Sequence, residues 1–471
     1  MSDAWVVGSG PNGLAGAVEL ARNGLRVTVL EAHDEIGGGT RTSELTVPGV
    51  LHDHCSAFHP MATASPFMRS LDLERHGLEW RWPQIDLAHP LDDGTAAFMV
   101  RSVSATAEGL GPDGAAWKRL FAGPSEHFES LLEDLMQPML HFPRHPVRLT
   151  RFGIPALAPA SLIAKTWKSQ HAKALFGGVA AHALSPLTKP LSASVGMALI
   201  SSCHAFGWPV ARGGSRSITD ALAAELREHG GSIETGRRVE SLDDLPREDV
   251  ILLDLSPARA ADVAGSRLDP RVAKAYRRYK HGGAAFKMDF AVEGGVPWTN
   301  EACRSAGTVH AAGTFAEIVA GECDIDQGRM PERPFVLVGQ QYLADPDRSA
   351  GDVHPVWAYA HVPNGWRDDA TEAIIGQIER FAPGFRERIV GQATMSPAEF
   401  EAYNPNFIGG DIIGGANSPL QIVSRPRLGL KPYATGIPGV FMCSASTPPG
   451  AGAHGMCGFN AARAALDGRA S

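Results

Sequence analysis

The strongest constraint on this 471-residue chain lies at its beginning, where Gly8-Ser9-Gly10-Pro11-Asn12-Gly13 follows the apolar run Ala4 to Val7. Leu14 to Asn23 then carries alanine and leucine at helical spacing, and Arg26 to Leu30 reads as a second strand. Gly8 permits a tight turn, Gly10 leaves the backbone open to a pyrophosphate, and Gly13 lets the helix lie close on the strand. Pro11 and Asn12 complete the turn, and the helix N-terminus offers free N–H groups and a favourable dipole to an anion. Glu31 stands eighteen residues after Gly13, with Ala32 beside it. A carboxylate there accepts hydrogen bonds from an adenosine ribose and repels a 2′-phosphate, which disfavours NADP. A lone glycine turn is weak evidence; the strand before it, the helix after it and the acid together make it a dinucleotide site. The strand, turn, helix, strand order implies a doubly wound α/β sheet.

The residues after the acid argue for FAD. Gly37-Gly38-Gly39-Thr40-Arg41-Thr42 supplies a second glycine cluster with a cation, suited to wrapping a pyrophosphate, although the same residues also describe an ordinary loop with a surface arginine. Near the other end, Pro448-Pro449-Gly450-Ala451-Gly452-Ala453-His454-Gly455-Met456 precedes a final helix, Phe459 to Leu466. Backbone N–H groups at that helix start would stabilise negative charge on a reduced flavin ring. FAD is therefore expected between the two ends of the chain.

Between these ends, Gly213-Gly214-Ser215 opens a helix through Leu226, Ser232 to Glu234 follows as a strand, and Asp249 to Leu255 and Gly439 to Cys443 read as buried strands. Pro90 to Phe206 looks helical and irregular. Lys287 to Val292, Phe335 to Leu343 and Val356 to Val362 suggest antiparallel strands, and Asp368 to Phe381 an amphipathic helix. The expected division is a discontinuous FAD-binding domain, 1–89, 207–290 and 421–471, with a substrate domain formed by 90–206 and 291–420.

The 51 acidic and 43 basic residues give a net charge of −8 without long runs of one sign, which excludes the dense cationic face that nucleic acid requires. Six cysteines without a C-x-x-C argue against a disulfide scaffold or a redox pair and fit a reducing cytoplasm. No basic n-region or cleavage signal is read at the start, and no stretch reaches the eighteen uninterrupted apolar residues of a spanning helix. Ile154 to Ala164, followed by Lys165, Trp167 and Lys168, could rest on a membrane surface as a peripheral contact. It reads equally as a core helix or a lid, as does Val195 to Phe206.

With these segments in hand, the chain resembles the phytoene desaturase-like flavoproteins, within the glutathione-reductase-type FAD proteins that also include amine oxidases. The resemblance runs over nearly the whole length. It rests on the two glycine clusters with Glu31 and Arg41, on Leu51-His52-Asp53-His54 with Ser56 and His59-Pro60, and on Gly213-Gly214. It rests further on Asn404-Pro405-Asn406 through Asp411, Gln421 with Arg425-Pro426, and Met442 through Gly450 to Ala462. The later groups are most similar to the branch with carotenoid-ketolase-type and pyridine-nucleotide-disulfide-oxidoreductase-like proteins. The resemblance implies a glutathione-reductase-type FAD-binding Rossmann domain with a discontinuous α+β substrate domain. It places the Val239 backbone against the adenine, the Met442 to Thr447 segment on the diphosphate and ribityl chain, and Gly455 and Met456 at the flavin. Ser444 stands where relatives often carry glycine.

Flavin chemistry asks the protein for few catalytic groups. His454, beside the expected ring, could act as a base or pack against the flavin, and His54 and His59 could approach its face or serve structure. His52 and His54 have the spacing of a metal pair, but no carboxylate or cysteine pattern surrounds them, so no metal is expected. Arg425 could pair a substrate carboxylate or the pyrophosphate, or hold one domain to the other. Trp167, Phe206, Trp208, Trp357 and Tyr359 could line an apolar pocket or fill a core. Cys443 and Cys457 flank the flavin turn without a sign of covalent attachment. The expectation is an FAD-dependent oxidoreductase taking hydride from a C–H bond of an apolar, carotenoid- or isoprenoid-like small molecule. The alternatives are an amine oxidase or secondary-metabolite dehydrogenase with a small substrate, and a flavin-binding protein without turnover. One complete dinucleotide turn points to dioxygen, a quinone or another acceptor rather than a second nicotinamide. The oligomeric state stays open.

Overall fold

A computed structural model describes residues 3–246 and 249–470. Five short strands lie side by side, all parallel, in the order Val440–Met442, Val250–Leu253, Asp3–Val7, Arg26–Leu30 and Ser232–Glu234. Val250–Leu253 is buried along its whole length, as its unbroken aliphatic sequence requires of a strand covered on both faces. The helix Pro11–Arg22 follows the first strand, and the last helix, Met456–Ala470, crosses it at unusually short range. A Cβ on Gly458 would stand 1.7 Å from the Asn12 carbonyl oxygen, and one on Gly16 would stand 3.1 Å from that of Gly458. The beginning and the end of the chain thus touch backbone to backbone.

A second sheet has seven strands in the order Ile389–Met395, Ala284–Glu293, Val353–Val362, Val336–Gly339, Ala306–Ala311, Ile85–Pro90 and Ala96–Met99. Its pairs are antiparallel except that of Ala306–Ala311 with Ile85–Pro90. Side chains alternate between faces along a strand. The outer face, with Met288, Phe290, Val338 and Ala358, packs with Ile374 and Ile378 of the helix Thr371–Glu379. On the inner face the register sets Lys287, Tyr359, Leu337 and His310 in one row, and Asp289, Trp357, Gly339 and Thr308 in the next. Helices between Val103 and Phe206 cover this side, and Ala193–Phe206 is deeply buried.

Several expected boundaries move. Ile85–Pro90 and Ala284–Glu293 both pair within the second sheet, so the divisions expected at 89/90 and 290/291 cut through two of its strands. The strand expected to Leu343 ends at Gly339. Gln340 leaves the ladder because its amide is buried, donating to the carbonyls of Cys303 (2.9 Å) and Ala306 (2.7 Å). The apolar Ile154 to Ala164 stretch divides between the helices Pro146–Ala156 and Ala160–Ala164, with Pro159 capping the second.

Candidate active site

A cavity of about 630 Å³ opens at the carboxyl ends of the parallel strands, where doubly wound sheets bind ligands. Gly8, Gly10, Pro11, Asn12, Glu31, Ala32, Gly38, Gly39, Thr40, Arg41, Val239 and Ser444 all line it. Gly8 turns the chain at φ +104°, a conformation that glycine adopts without strain. A Cβ on Gly13 would stand 2.1 Å from the Gly8 carbonyl oxygen, so this glycine sets the helix against the strand and lies behind the wall.

Glu31 is held rigidly. One carboxylate oxygen accepts the Ser9 N–H (3.0 Å) and hydroxyl (2.5 Å), and the other accepts the His33 N–H (2.9 Å). Arg41 is buried, donates to the carbonyls of Glu35 and Ile36, and stacks 5.2 Å over the Tyr403 ring. The Tyr403 hydroxyl donates to the Gly38 carbonyl at 2.8 Å. A cation and an aromatic ring in contact with each other thereby stiffen the second glycine cluster.

The fit to a dinucleotide goes beyond the glycines. Asn12 Oδ1, Ser256 Oγ and Ser444 Oγ belong to the cavity wall, are buried, and have no partner among the described residues. Unsatisfied buried polar atoms are costly, and a polar ligand along this wall would satisfy them. FAD fits this donor set. Glu31 would take the ribose, the Gly8–Gly13 turn and Arg41 the diphosphate, and Ser444 the chain between the diphosphate and the ring.

Asp254 went unremarked in the sequence. It lies just after the strand Val250–Leu253, lines the cavity, and accepts the Gly13 N–H at 2.9 Å. Burial pushes its carboxyl up to about 7, and the charge of Glu31 adds to the effect. An acid closing an apolar strand is the same signal that singled out Glu31. Asn406 is tied to the neighbouring strand end, its Oδ1 accepting the Ser256 N–H at 2.8 Å.

The expected catalytic histidines are engaged elsewhere. His454 accepts the Met456 N–H on Nδ1 at 3.1 Å and stands behind Gly452, a glycine of the cavity wall. Burial takes its pKa down to about 4. Gly455 and Met456 also lie behind the wall, where a Cβ on Gly455 would meet Ala15 at 2.8 Å. His54 pairs Nε2 with Ser43 Oγ at 2.7 Å, and burial, reinforced by Lys287, lowers it to about 4. His52 bonds Thr46 Oγ1 and His59 bonds Ser215 Oγ, each at 2.8 Å, so the His52/His54 rings serve separate partners instead of a common metal.

Arg425 donates to Asn417 Oδ1 at 2.6 Å and packs under Gly450, joining two loops. Trp357 and Tyr359 lie on the inner face of the second sheet, whereas Trp167 packs at a tilt against Trp117 and Phe176 in the helical layer. Burial pushes the Cys457 thiol up to about 12 and that of Cys443 well above its ordinary value, leaving both poor nucleophiles. A buried knot ties together segments distant in the chain: Arg348 bonds Asp53 (2.5 Å), Asp345 (3.0 Å) and the Ala211 carbonyl, while Asp53 accepts the Ser215 N–H.

A family model for an NAD(P)-binding Rossmann-like domain matches residues 6–72. The chain is 23% identical, over 98% of its length and 92% of the relative's, to pyridine nucleotide-disulfide oxidoreductase domain-containing protein 2 of Rattus norvegicus. Residues 6–72 are thus similar to an NAD(P)-binding Rossmann-like domain, and nearly the whole chain to a pyridine nucleotide-disulfide oxidoreductase domain-containing protein. A shorter match, 30% identical over 29% of the chain and 23% of the relative, is to one component of the limonene dehydrogenase of Castellaniella defragrans. Among solved structures, an oxidoreductase from Methanosarcina mazei aligns with a TM-score of 0.66 at 14% identity, covering 99% of this chain and all of that one. A putrescine oxidase bound to putrescine aligns at 0.61 and 15%, covering 100% and 99%. These two likenesses carry the fold over the full length of the chain.

Proposed function

We propose that this flavoprotein dehydrogenates or oxidises a C–H bond of an apolar small molecule, of isoprenoid type. The supporting observation is the inner face of the second sheet. Cys55 lines the cofactor cavity and packs in one apolar cluster with Phe335, Leu337, Trp357 and Tyr359. Two ion pairs lie at that face: Lys287 pairs with Asp289, and one oxygen of Glu322 binds His361 Nδ1 at 2.5 Å. The aromatic and aliphatic side chains of this face reward apolar contact. The local likeness to a limonene dehydrogenase component supports the same substrate class.

When bound, FAD supplies the two-electron acceptor; the protein orients the substrate and keeps water out. The terminal acceptor we assign is dioxygen, a quinone or another small molecule. One observation favours amine oxidation as a second reading: Glu322 Oε2 is buried without a partner among the described residues, and such an oxygen would suit an ammonium group. Anaerobic mixing of the FAD-loaded protein with apolar alkenes and with mono- and diamines, followed by flavin absorbance, separates the readings. Bleaching by the alkenes alone is the expected result. Bleaching by amines alone would transfer the assignment to the second reading, and none with either set would leave a flavin-holding role.

A further inference from the structure

The 85 residues from Leu135 to Thr219 contain nine lysines and arginines and no aspartate or glutamate. The whole chain has a net charge of −8, so the remainder carries −17. A second acid-free stretch, Ile412 to Leu466, carries Arg425, Arg427, Lys431 and Arg463. Both stretches also hold most of the large apolar side chains that the fold leaves outside. Phe142 is 98% exposed, Ile154 69%, and Met139, Leu140, Val147, Leu157 and Leu162 each more than half. Leu420, Leu428 and Leu430, in the second stretch, are 74–82% exposed.

The helix Pro146–Ala156 buries only Phe152 and Ala156 against the body. Exposed Val147 and Ile154 alternate with exposed Arg148 and Arg151 along the rest of it, while Arg144 precedes it and Lys165 and Lys168 follow. The two stretches are physically linked. Asn417 donates to the Ala183 carbonyl at 3.0 Å, and Leu191 and Ala193 donate to the carbonyls of Leu157 and Ala158.

We propose that this face docks on the surface of an anionic lipid bilayer. Phe142, Ile154 and Leu157 would sink below the headgroups, with Arg144, Arg148 and Arg151 at the level of the lipid phosphates. Charge complementarity carries the choice of partner, since cations alternating with long apolar side chains match a layer of anions over hydrocarbon. Met139, Leu140, Phe142, Val147, Ile154 and Leu157 stand exposed within one segment and are interspersed with its cations, an arrangement that a bilayer interface accepts as it stands. No helix among the described residues is long and apolar enough to cross a membrane, so the contact is interfacial.

The test uses the full-length, FAD-loaded protein, sedimented with vesicles of phosphatidylcholine alone or with about a third phosphatidylglycerol. Binding to the anionic vesicles at least about tenfold above the neutral ones, weakened by high salt, is expected. Leu140→Ser/Phe142→Ser/Ile154→Ser and Arg144→Gln/Arg148→Gln/Arg151→Gln change exposed side chains only, so each should keep the flavin spectrum while losing at least about tenfold in binding. Equal binding to both vesicle types, no sedimentation with anionic vesicles, or undiminished binding by either folded variant would overturn the proposal. So would a dimer in light scattering that the Phe142 variant dissolves, since the face would then belong to self-association.

Discussion

Asp254 accepts the Gly13 N–H at 2.9 Å, so its charge is felt by whatever anion the glycine turn holds. With its carboxyl pushed up to about 7, ionisation near neutrality adds a negative charge beside the diphosphate. FAD affinity of the apoprotein should therefore fall as pH rises from 6 to 8, and Asp254→Asn should flatten that dependence. A titration by flavin fluorescence in which both proteins keep the same slope would remove the idea. For His454 the geometry gives a positioning role, and a pKa of about 4 leaves no break near pH 6.5 to be lost. His454→Ala should lower stability by roughly 1–2 kcal/mol while leaving the shape of the pH–rate profile intact. An altered profile would restore the base. Glu31 could be found in the sequence because glycine spacing fixes its distance from the turn. The true surroundings of His454 and His54 could not, because Met456 N–H and Ser43 Oγ compete for their ring nitrogens only once the chain is folded.

Among the elements, the crossing of Pro11–Arg22 and Met456–Ala470 is the most sensitive. The Asn12 carbonyl occupies the space where a Cβ on Gly458 would go, so Gly458→Ala must push two helices apart. We expect a loss of about 2–3 kcal/mol, seen as a lower Tm and weaker FAD retention, whereas Gly468→Ala on the same helix, with open space around it, should be neutral or mildly stabilising. Equal Tm values for the two variants would contradict the close crossing. Strands with uninterrupted aliphatic runs, such as Val250–Leu253, were visible from composition alone. Sheet membership was not. Ile85–Pro90 and Ala284–Glu293 look like any buried strand, and what joins them to the rest of the sheet is pairing with Ala306–Ala311 and Val353–Val362, far along the chain. The Asp53–Arg348–Asp345 knot had no local signature either, because its ion pair joins residues 295 positions apart.

For the whole molecule, the balance of buried titratable groups sets the response to acid. His54, His59, His89, His204 and His454 are lowered by burial to about 4, His182 to about 3, and His310 well below its ordinary value. The unfolded chain takes up protons on these rings below about pH 6.5 while the folded one does not, so stability falls as pH drops from 6.5 to 4. Asp86 and Asp254, raised by burial to about 6 and about 7, act in the opposite sense, but two carboxyls do not offset seven imidazoles. Tm should drop by roughly 5 °C or more between pH 7.5 and 5; a level or rising Tm would mean these rings are not held neutral.

The crossing of first and last helices also has a consequence in time. On the ribosome the glycine turn emerges more than four hundred residues before the edge strand Val440–Met442 and the helix that packs on Asn12 and Gly16. Through all of that interval the nascent chain carries the turn without the helix that backs it. Cofactor capture waits for that helix, and a chain truncated before Val440 should emerge pale, however well its other parts have folded.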